Sequence, residues 1–152
     1  MMHYQKTIKL DRPEDTSALG ARLSAYLKAG DVVALRGTLG AGKTSLARGL
    51  IGALCGAEEV PSPTYTLVQT YAGPQFDIWH FDLYRLENEA DVWELGIEDA
   101  LDTGVCLIEW PQRIEGLLSG AELTIEIVFE GEGRRAQISG DENWGERLAG
   151  FN

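Results

Sequence analysis

One eight-residue segment constrains the fold more than any other part of the chain. The sequence from Gly37 to Thr44 matches the pattern G-x-x-x-x-G-K-[S/T]. It follows the apolar run Val32–Leu35, which is typical of a strand buried on both faces, and it precedes a helical pattern from Lys43 to about Leu54. Because a phosphate-binding loop has this strand–loop–helix context, we expect such a loop here.

The residue types of this loop suit a nucleotide and a magnesium ion. Glycines let the backbone wrap closely around an anion, and the N-terminus of the following helix directs free N–H groups at it. Lys43 would place its charge at the β- and γ-phosphate oxygens, and the Thr44 hydroxyl is a candidate magnesium ligand. A glycine-rich turn without a ligand is the alternative. The predicted nucleotide-binding residues are Gly37, Thr38, Leu39, Gly40, Ala41, Gly42, Lys43, Thr44 and Ser45.

Two carboxylates at the ends of predicted strands are candidates for the metal and the attacking water. Glu109 ends the apolar run Val105–Ile108, and we predict that it is a magnesium ligand. Asp82 shares a strand face with His80 because strand side chains alternate. Asp82 either positions magnesium or water, or is a buried structural carboxylate paired with Arg85 or a backbone amide. The sequence leaves open which carboxylate positions the water.

Two more residues are expected near the phosphates. The segment Pro61–Thr66 contains two rigid prolines and several hydroxyls, and Thr64 is the candidate sensor of the γ-phosphate. A plain loop before a strand is the alternative. Trp110 follows Glu109 directly, so we expect it at the nucleotide, although a core or surface aromatic is an equal interpretation. The predicted catalytic residues are Asp82, Glu109, Lys43 and Thr64.

Composition narrows the class of protein. The chain has 152 residues, the usual size of one domain, and a formal charge of −11. Because that charge repels phosphate backbones, we expect contact with RNA to run through a protein partner. Cys55 and Cys106 lack metal-ligand spacing and are expected to be buried, reduced thiols. His3 and His80 also lack it and are expected to be hydrogen-bonded or exposed. With no signal sequence or membrane-spanning stretch, we expect a cytoplasmic protein.

Hydrophobic periodicity predicts the remaining elements. Strands are predicted at Tyr4–Leu10, Thr66–Tyr71, Phe76–Tyr84, Glu122–Glu130 and Arg134–Ser139, the last two forming a hairpin at one sheet edge. Helices are predicted from a cap at Asp15 to Gly30, from Glu87 to Leu101 with a break at Gly96, and, unless it frays, within Asp141–Asn152. We therefore predict one α/β domain over residues 1–152. It is a P-loop NTPase-like three-layer domain with a mostly parallel sheet and antiparallel edge strands.

Three interpretations of the nucleotide site remain. Guanine-specific GTPases carry Asn-Lys-x-Asp, and Asp-x-x-Gly after the metal-side strand; neither occurs here, so ATP is favoured. A small-molecule kinase is the alternative to an ATPase, although such enzymes add a mobile lid with arginines and the nearest basic cluster is Arg134-Arg135. The third interpretation is a binding module gated by nucleotide that hydrolyses ATP negligibly alone.

Four segments together resemble the bacterial TsaE family, also called YjeE, the ATPase of tRNA threonylcarbamoyladenosine biosynthesis. They are Leu39–Thr44, Ser62–Val68, His80–Leu86 and Ile108–Pro111. The first is shared by many families, but the strings Ser-Pro-Thr-Tyr-Thr and His-Phe-Asp-Leu-Tyr-Arg are highly specific in combination. Thr38 departs from the acidic residue that many relatives carry, at a position that contributes mainly its backbone.

The resemblance implies a cytoplasmic protein that works with the TsaD and TsaB subunits, which attach threonylcarbamoyl to tRNA. Hydrolysis of ATP would reset that complex between turnovers rather than perform the transfer. By similarity of position, Thr44 and Glu109 take the magnesium roles, while Asp82 and Thr64 lie on the γ-phosphate side. The resemblance also implies that Pro13–Thr16 and Arg134 border the nucleotide.

Overall fold

Seven strands form one sheet in the computed structural model, which describes residues 4–56, 63 and 66–151. The strands are β1 (Tyr4–Leu10), β2 (Val32–Arg36), β3 (Val68–Tyr71), β4 (Ile78–Asp82), β5 (Val105–Glu109), β6 (Leu123–Glu130) and β7 (Gly133–Gly140). Their order is β1-β7-β6-β2-β5-β4-β3. The neighbours β6, β2, β5 and β4 are parallel, whereas β1, β7 and β3 pair antiparallel. The predicted arrangement of parallel centre and antiparallel edges is confirmed.

Helices cover both faces of the sheet. They are α1 (Pro13–Ser24), α2 (Lys43–Cys55), α3 (Ile97–Thr103) and α4 (Glu142–Arg147), with 3-10 helices at Glu89–Leu95 and Pro111–Leu117. One buried core joins α1 and α2 to the sheet, and a second joins α3 and the 3-10 helices to the opposite face. The predicted three-layer architecture is confirmed. Within the described residues, no helix is long and apolar enough to cross a membrane.

Side-chain alternation along β5 decides where its last residue points. Val105 and Leu107 belong to the core beneath α1 and α2, and Cys106 and Ile108 to the opposite core. Glu109 is therefore on the same face as α2. In the parallel register, Glu109 pairs with Leu35 of β2 and with Asp82 of β4. Both carboxylates thus end neighbouring strands beside the loop that follows β2.

Helices α1 and α2 cross in unusually close contact. A Cβ built on Gly20 would lie 2.1 Å from the carbonyl oxygen of Leu46, and one built on Gly49 would lie 2.0 Å from that of Ser17. Backbone of one helix therefore fills the space that a side chain on the other would need. This contact fixes α2, and with it the start of the helix that holds Lys43, against the rest of the domain.

The first helix begins earlier than predicted. Arg12 is its N-cap and Pro13 its first residue, and the carboxylate of Asp15, the predicted cap, instead accepts a hydrogen bond from the Arg12 amide at 3.1 Å. Proline suits a first helical position because the missing N–H would have no partner there. The predicted end at Gly30 is also wrong: α1 stops at Ser24, and a turn follows.

Two strand predictions need correction. Strand β3 starts at Val68 rather than Thr66, because Leu67 has a φ of 68°, which interrupts extended backbone. The β6–β7 hairpin lies inside the sheet rather than at its edge. Strand β6 pairs with β2, and β1 covers β7. The long-range partner β1 could not be assigned from the alternating pattern of the hairpin alone.

Of the two alternatives for the C-terminal segment, helix or frayed end, the structure shows a short helix, α4, which stops at Arg147 before Leu148 and Phe151. The Asp141 carboxylate caps α4 by accepting a hydrogen bond from the Trp144 amide at 3.1 Å. Trp144, Leu148 and Phe151 are buried in the core beneath α1 and α2. The Arg147 guanidinium pairs with the carboxylate of Asp31, the residue directly before β2. Apolar burial and this ion pair together attach the last helix to the domain.

Candidate functional site

The loop between β2 and α2 requires its glycines. Gly37, Gly40 and Gly42 have φ values of 144°, 79° and 115°, all in the region that favours glycine. A Cβ on Gly37 would also lie 2.6 Å from the carbonyl oxygen of Ile127. The loop has the sharp turns of an anion-binding backbone, and α2 begins directly after it at Lys43.

Lys43 points into the interior of the site rather than into solvent. Its side chain is buried, and Nζ donates a hydrogen bond to the carbonyl oxygen of Gly37 at 2.5 Å. Nζ also lies 3.6 Å from the centroid of the Trp110 ring. Burial lowers the pKa of Lys43, while the negative charges of Glu109 and Asp82 oppose that shift. A negatively charged ligand would therefore offset the free-energy cost of burying this ammonium.

Thr44 and Glu109 form the second part of the site. The Thr44 hydroxyl donates to the carboxylate, with Oγ1 2.9 Å from Oε1 and 3.1 Å from Oε2. Glu109 is buried, and its Oε2 also lies 2.7 Å from Nε2 of His80. The two predicted metal ligands, from α2 and β5, are thus in direct contact.

Asp82 lies beside Glu109 in the sheet register and is buried. Its Oδ1 accepts a hydrogen bond from the Tyr84 amide at 3.1 Å. That bond matches one part of the structural alternative, pairing with a backbone amide, yet the position at the carboxyl end of β4 also suits the phosphate side of the site. Placement alone therefore leaves both predicted roles of Asp82 open.

The donor set fits magnesium. Thr44, Glu109 and Asp82 offer hydroxyl and carboxylate oxygens, which this ion prefers. Across the residues that the structure describes, no group of three or more His, Cys, Asp or Glu side chains could hold a metal alone. Magnesium ordinarily completes its shell with water and substrate phosphates, so a site with few protein ligands suits it.

Trp110 adopts a left-handed conformation, with φ 61° and ψ 51°. This backbone is uncommon for a bulky residue and turns the chain sharply after β5. The indole consequently covers the Lys43 ammonium, and its ring centroid lies 4.9 Å from that of Tyr84. The structure places Trp110 beside Lys43 of the loop, and its contact with a nucleotide stays a prediction.

Arg134 reaches the loop from β7. Its Nε donates to the carbonyl oxygen of Ala41 at 3.2 Å, and its guanidinium carbon lies 4.1 Å from the centroid of the Phe129 ring. A cleft of about 200 Å³ opens next to this contact. Pro13, Thr16, Ser45 and Arg134 are among the residues that line it. The two segments expected to border a nucleotide therefore meet at one cleft beside the loop.

Thr64, the predicted γ-phosphate sensor, lies outside the described residues. The described residues around it are nevertheless informative. Leu67 donates its amide hydrogen to Pro63 and accepts at its carbonyl oxygen from the Asp82 amide, at 2.6 and 3.0 Å. The chain on either side of Thr64 is thus joined to the end of β4. The role of Thr64 stays a prediction.

The sequence pattern assigned no role in the site to His80, which lies at its centre. The sequence indicates its place only through period-two alternation, which puts His80 on the same strand face as Asp82. The bond to Glu109 also depends on the register of β4 against β5, in which His80 pairs with Leu107. Alternation within one strand does not determine that register.

The chain is similar to known proteins over most of its length. Residues 10–137 match the family model described as "Threonylcarbamoyl adenosine biosynthesis protein TsaE". The chain is 42% identical over 124 residues to the TsaE protein of Rickettsia felis, covering 80% of this chain and 72% of the relative. It is 38% identical over 124 residues to the TsaE protein of Bacillus subtilis, covering 81% and 77%.

A solved structure agrees with these sequence matches. The crystal structure of Bacillus subtilis YdiB superposes with a TM-score of 0.79 at 30% identity, covering 99% of this chain and 95% of that one. The family model matches most of the chain, and the relatives are 38% and 42% identical to it. These matches lead to the same conclusion as the sequence motifs quoted above. The chain belongs to the TsaE family.

Proposed function

We propose that this protein binds ATP with Mg²⁺ and hydrolyses it as part of threonylcarbamoyladenosine formation on tRNA. One observation carries the proposal: the Thr44 hydroxyl contacts the buried Glu109 carboxylate directly beside the Lys43 ammonium, at the end of a phosphate-loop backbone. A buried positive charge, a hydroxyl and a carboxylate at a helix N-terminus match the needs of a magnesium–triphosphate group.

Each residue has a distinct task in this proposal. Amides of Gly40–Thr44 bind the phosphate oxygens, and Lys43 exchanges its bond to the Gly37 carbonyl for the β- and γ-phosphates. Thr44 and Glu109 would hold Mg²⁺, which would supply positive charge to offset that of the phosphate oxygens. We assign Asp82 and Thr64 to the γ-phosphate side, where one carboxylate of the site would orient the attacking water.

The cleft beside the loop would take the rest of the nucleotide. The residues that line it include Gly40, Ser45, Pro13, Thr16 and Arg134. Arg134 already donates to the carbonyl oxygen of Ala41, so its guanidinium is held at the rim. We therefore assign nucleotide contact to Pro13–Thr16 and to Arg134.

The kinase alternative receives no support from the arginine pair. Arg134 contacts the loop itself, and Arg135 pairs with the Glu130 carboxylate across the β6–β7 hairpin at 2.8 Å. Both residues belong to a strand of the main sheet. A kinase lid instead needs arginines on a segment that closes over the substrate. We therefore propose an ATPase.

The names of the relatives supply the pathway. TsaE proteins of Rickettsia and Bacillus are named for tRNA threonylcarbamoyladenosine biosynthesis, and we infer the same process for this chain. We propose that it acts in the cytoplasm with the TsaD and TsaB subunits, and that ATP hydrolysis resets the transfer complex between turnovers. A charge of −11 favours protein contacts over direct contact with tRNA.

A reconstituted reaction tests this proposal. Purified chain, TsaD and TsaB are combined with tRNA, ATP, Mg²⁺ and a preformed, labelled threonylcarbamoyl donor, and label in tRNA is counted over many turnovers. We expect modification beyond one turnover per complex only when this chain and hydrolysable ATP are both present. Continued modification in its absence would refute the role in resetting, and ATP turnover that stays undetectable with both subunits would refute the ATPase assignment.

A further inference from the structure

The side chain of His80 is fully buried on β4, and its ring meets the candidate metal ligand. Its Nε2 lies 2.7 Å from Oε2 of Glu109. A glutamate that binds a metal does so as a carboxylate, which can only accept, and His80 is then the donor of this bond through its Nε2–H. The contact joins neighbouring parallel strands diagonally, since the direct register partner of His80 is Leu107.

The other ring nitrogen makes the bond to Glu109 more informative. Nδ1 of His80 is buried and has no hydrogen-bond partner among the residues that the structure describes. A polar ring is costly at this place, because the α2 face of β4 and β5 also buries Ile78 and Leu107. An apolar side chain would fill the position without that cost. Among the described contacts of the His80 ring, the bond to Glu109 is the one that requires a hydrogen-bond donor.

Glu109 has two sets of donors that leave it little freedom. Thr44 approaches both carboxylate oxygens, and His80 holds Oε2 from the β4 side. Thr44 would need to direct its oxygen at a metal, so its hold on the carboxylate changes when a metal binds. The bond from His80 does not compete with the metal in this way. It can keep Oε2 fixed while Oε1 stays directed at the loop.

We propose that His80 is a positioning residue for the magnesium site: its Nε2–H fixes the Glu109 carboxylate in the orientation that binds the metal. This inference rests on the proposed function, in which Glu109 is a magnesium ligand. Donors behind a metal-ligating group typically change metal affinity 10- to 100-fold when removed. Such an effect acts on the metal and leaves the phosphate-binding backbone unchanged.

Three substitutions separate positioning from simple packing. His80→Gln keeps an N–H donor at about the reach of Nε2, His80→Asn places its amide near the position of Nδ1, and His80→Leu removes the donor. Mn²⁺, which prefers similar oxygen ligands, is titrated into protein with saturating ADP and followed by electron paramagnetic resonance. Binding of ADP in EDTA is measured separately by calorimetry, and circular dichroism melts check folding.

We expect His80→Asn and His80→Leu to weaken Mn²⁺ binding about 10-fold or more, with His80→Gln closer to wild type. Affinity for ADP in EDTA should stay near wild type in all folded variants. Wild-type Mn²⁺ affinity in folded His80→Asn would overturn the positioning role, and so would equal weakening in His80→Gln and His80→Asn. If His80→Leu does not fold, the Gln and Asn pair decides.

A different experimental result would refute the proposed function. Wild-type protein that binds no ADP, or no Mn²⁺ in its presence, would refute the nucleotide and metal assignments themselves, and the inference about His80 would fall with them. Wild-type protein that binds both, beside a His80→Asn variant that binds both equally well, would refute only the role of His80.

Discussion

Thr44 donates its hydroxyl hydrogen to the carboxylate of Glu109, with Oγ1 2.9 Å from Oε1 and 3.1 Å from Oε2. The two residues are 65 positions apart and reach each other because β2 and β5 are parallel neighbours. The loop after β2 starts α2 beside the end of β5. A hydroxyl and a carboxylate in contact can both turn toward one metal ion. The charge of the carboxylate can be tested separately from its shape by an amide substitution.

Replacing Glu109 by Gln keeps the shape of the side chain and removes its charge. We expect nucleotide binding to weaken less than hydrolysis, because the carboxylate stabilises charge that develops at the metal and the water. Turnover with TsaD and TsaB should fall roughly 100-fold. The matched change at the neighbouring strand end, Asp82→Asn, should also lower turnover. Both are measured as phosphate release and as multiple-turnover labelling of tRNA, and near-normal values in both variants would refute the assigned roles.

Lys43→Ala removes the buried ammonium of the loop. If Lys43 binds the β- and γ-phosphates, ATP affinity should fall roughly 10- to 100-fold, the range for losing a charge-assisted hydrogen bond. The domain should stay folded, because Lys43 is the first residue of α2 and belongs to neither apolar core. Lys28→Ala, at an exposed lysine, is the control. Calorimetry and circular dichroism measure the two effects, and unchanged ATP binding in a folded variant would contradict the loop assignment.

Trp110 should report nucleotide binding. Its ring lies 3.6 Å from Nζ of Lys43, so moving that ammonium onto a phosphate changes the surroundings of the indole. We expect tryptophan fluorescence to change when ATP and Mg²⁺ are added, and Trp110→Phe to lose that change. Trp93→Phe, at an exposed ring, should keep it. A response that survives Trp110→Phe in full would place the reporting tryptophan elsewhere.

The loop and its two carboxylates could be predicted because local rules determine them. A strand, a glycine-rich turn and a helix start follow from residue types between Val32 and Leu54, and parallel strands bring their carboxyl ends to one edge. That edge holds Thr44, Asp82 and Glu109 because β2, β5 and β4 are parallel neighbours. The roles of the site residues are a different matter, since position does not show whether Asp82 acts on water or only bonds the Tyr84 amide.

The features that the sequence did not predict depend on contacts between distant segments. Strand β1 covers β7, and nothing in the alternation of Tyr4–Leu10 names that partner. The bond from His80 to Glu109 requires a register between two strands. The left-handed backbone of Trp110 is an exception to residue preferences, supported by the ring contacts to Lys43 and Tyr84.

Cys106 should make stability fall at alkaline pH. Burial raises the pKa of its thiol from 9.0 to about 12. Between these values the folded chain holds a proton that the unfolded chain has released, so the free energy of unfolding decreases as pH rises. One such proton contributes about 1.4 kcal/mol per pH unit. Urea unfolding at a series of pH values from 8 upward measures the slope.

The control for this slope is the second cysteine. Cys55 is only partly buried, so the prediction of two buried thiols holds for Cys106 alone. Cys106→Ala should flatten the alkaline slope relative to wild type, even though it also lowers stability at every pH. Cys55→Ala should leave most of the slope. Equal slopes in wild type and Cys106→Ala would show that this thiol ionises normally in the folded chain.

Gly20→Ala and Gly49→Ala test the close crossing of α1 and α2. A new Cβ would lie 2.1 Å from the Leu46 oxygen in the first variant and 2.0 Å from the Ser17 oxygen in the second, far inside van der Waals contact. Both atoms that would be struck belong to helix backbone, which cannot rotate away as a side chain can. The helices must separate, and we expect each substitution to cost about 3 kcal/mol.

The comparison that isolates this clash is Gly145→Ala in α4. There a new Cβ would lie 3.8 Å from Cβ of Tyr4, an ordinary contact, and alanine favours a helix over glycine by up to about 1 kcal/mol. In urea unfolding, the midpoints of Gly20→Ala and Gly49→Ala should lie well below the wild-type midpoint. The midpoint of Gly145→Ala should equal or exceed it. Because α2 also begins with Lys43 and Thr44, the two destabilised variants should bind ATP more weakly even where they remain folded. Wild-type midpoints in both would mean that the helices are farther apart in solution than this structure places them.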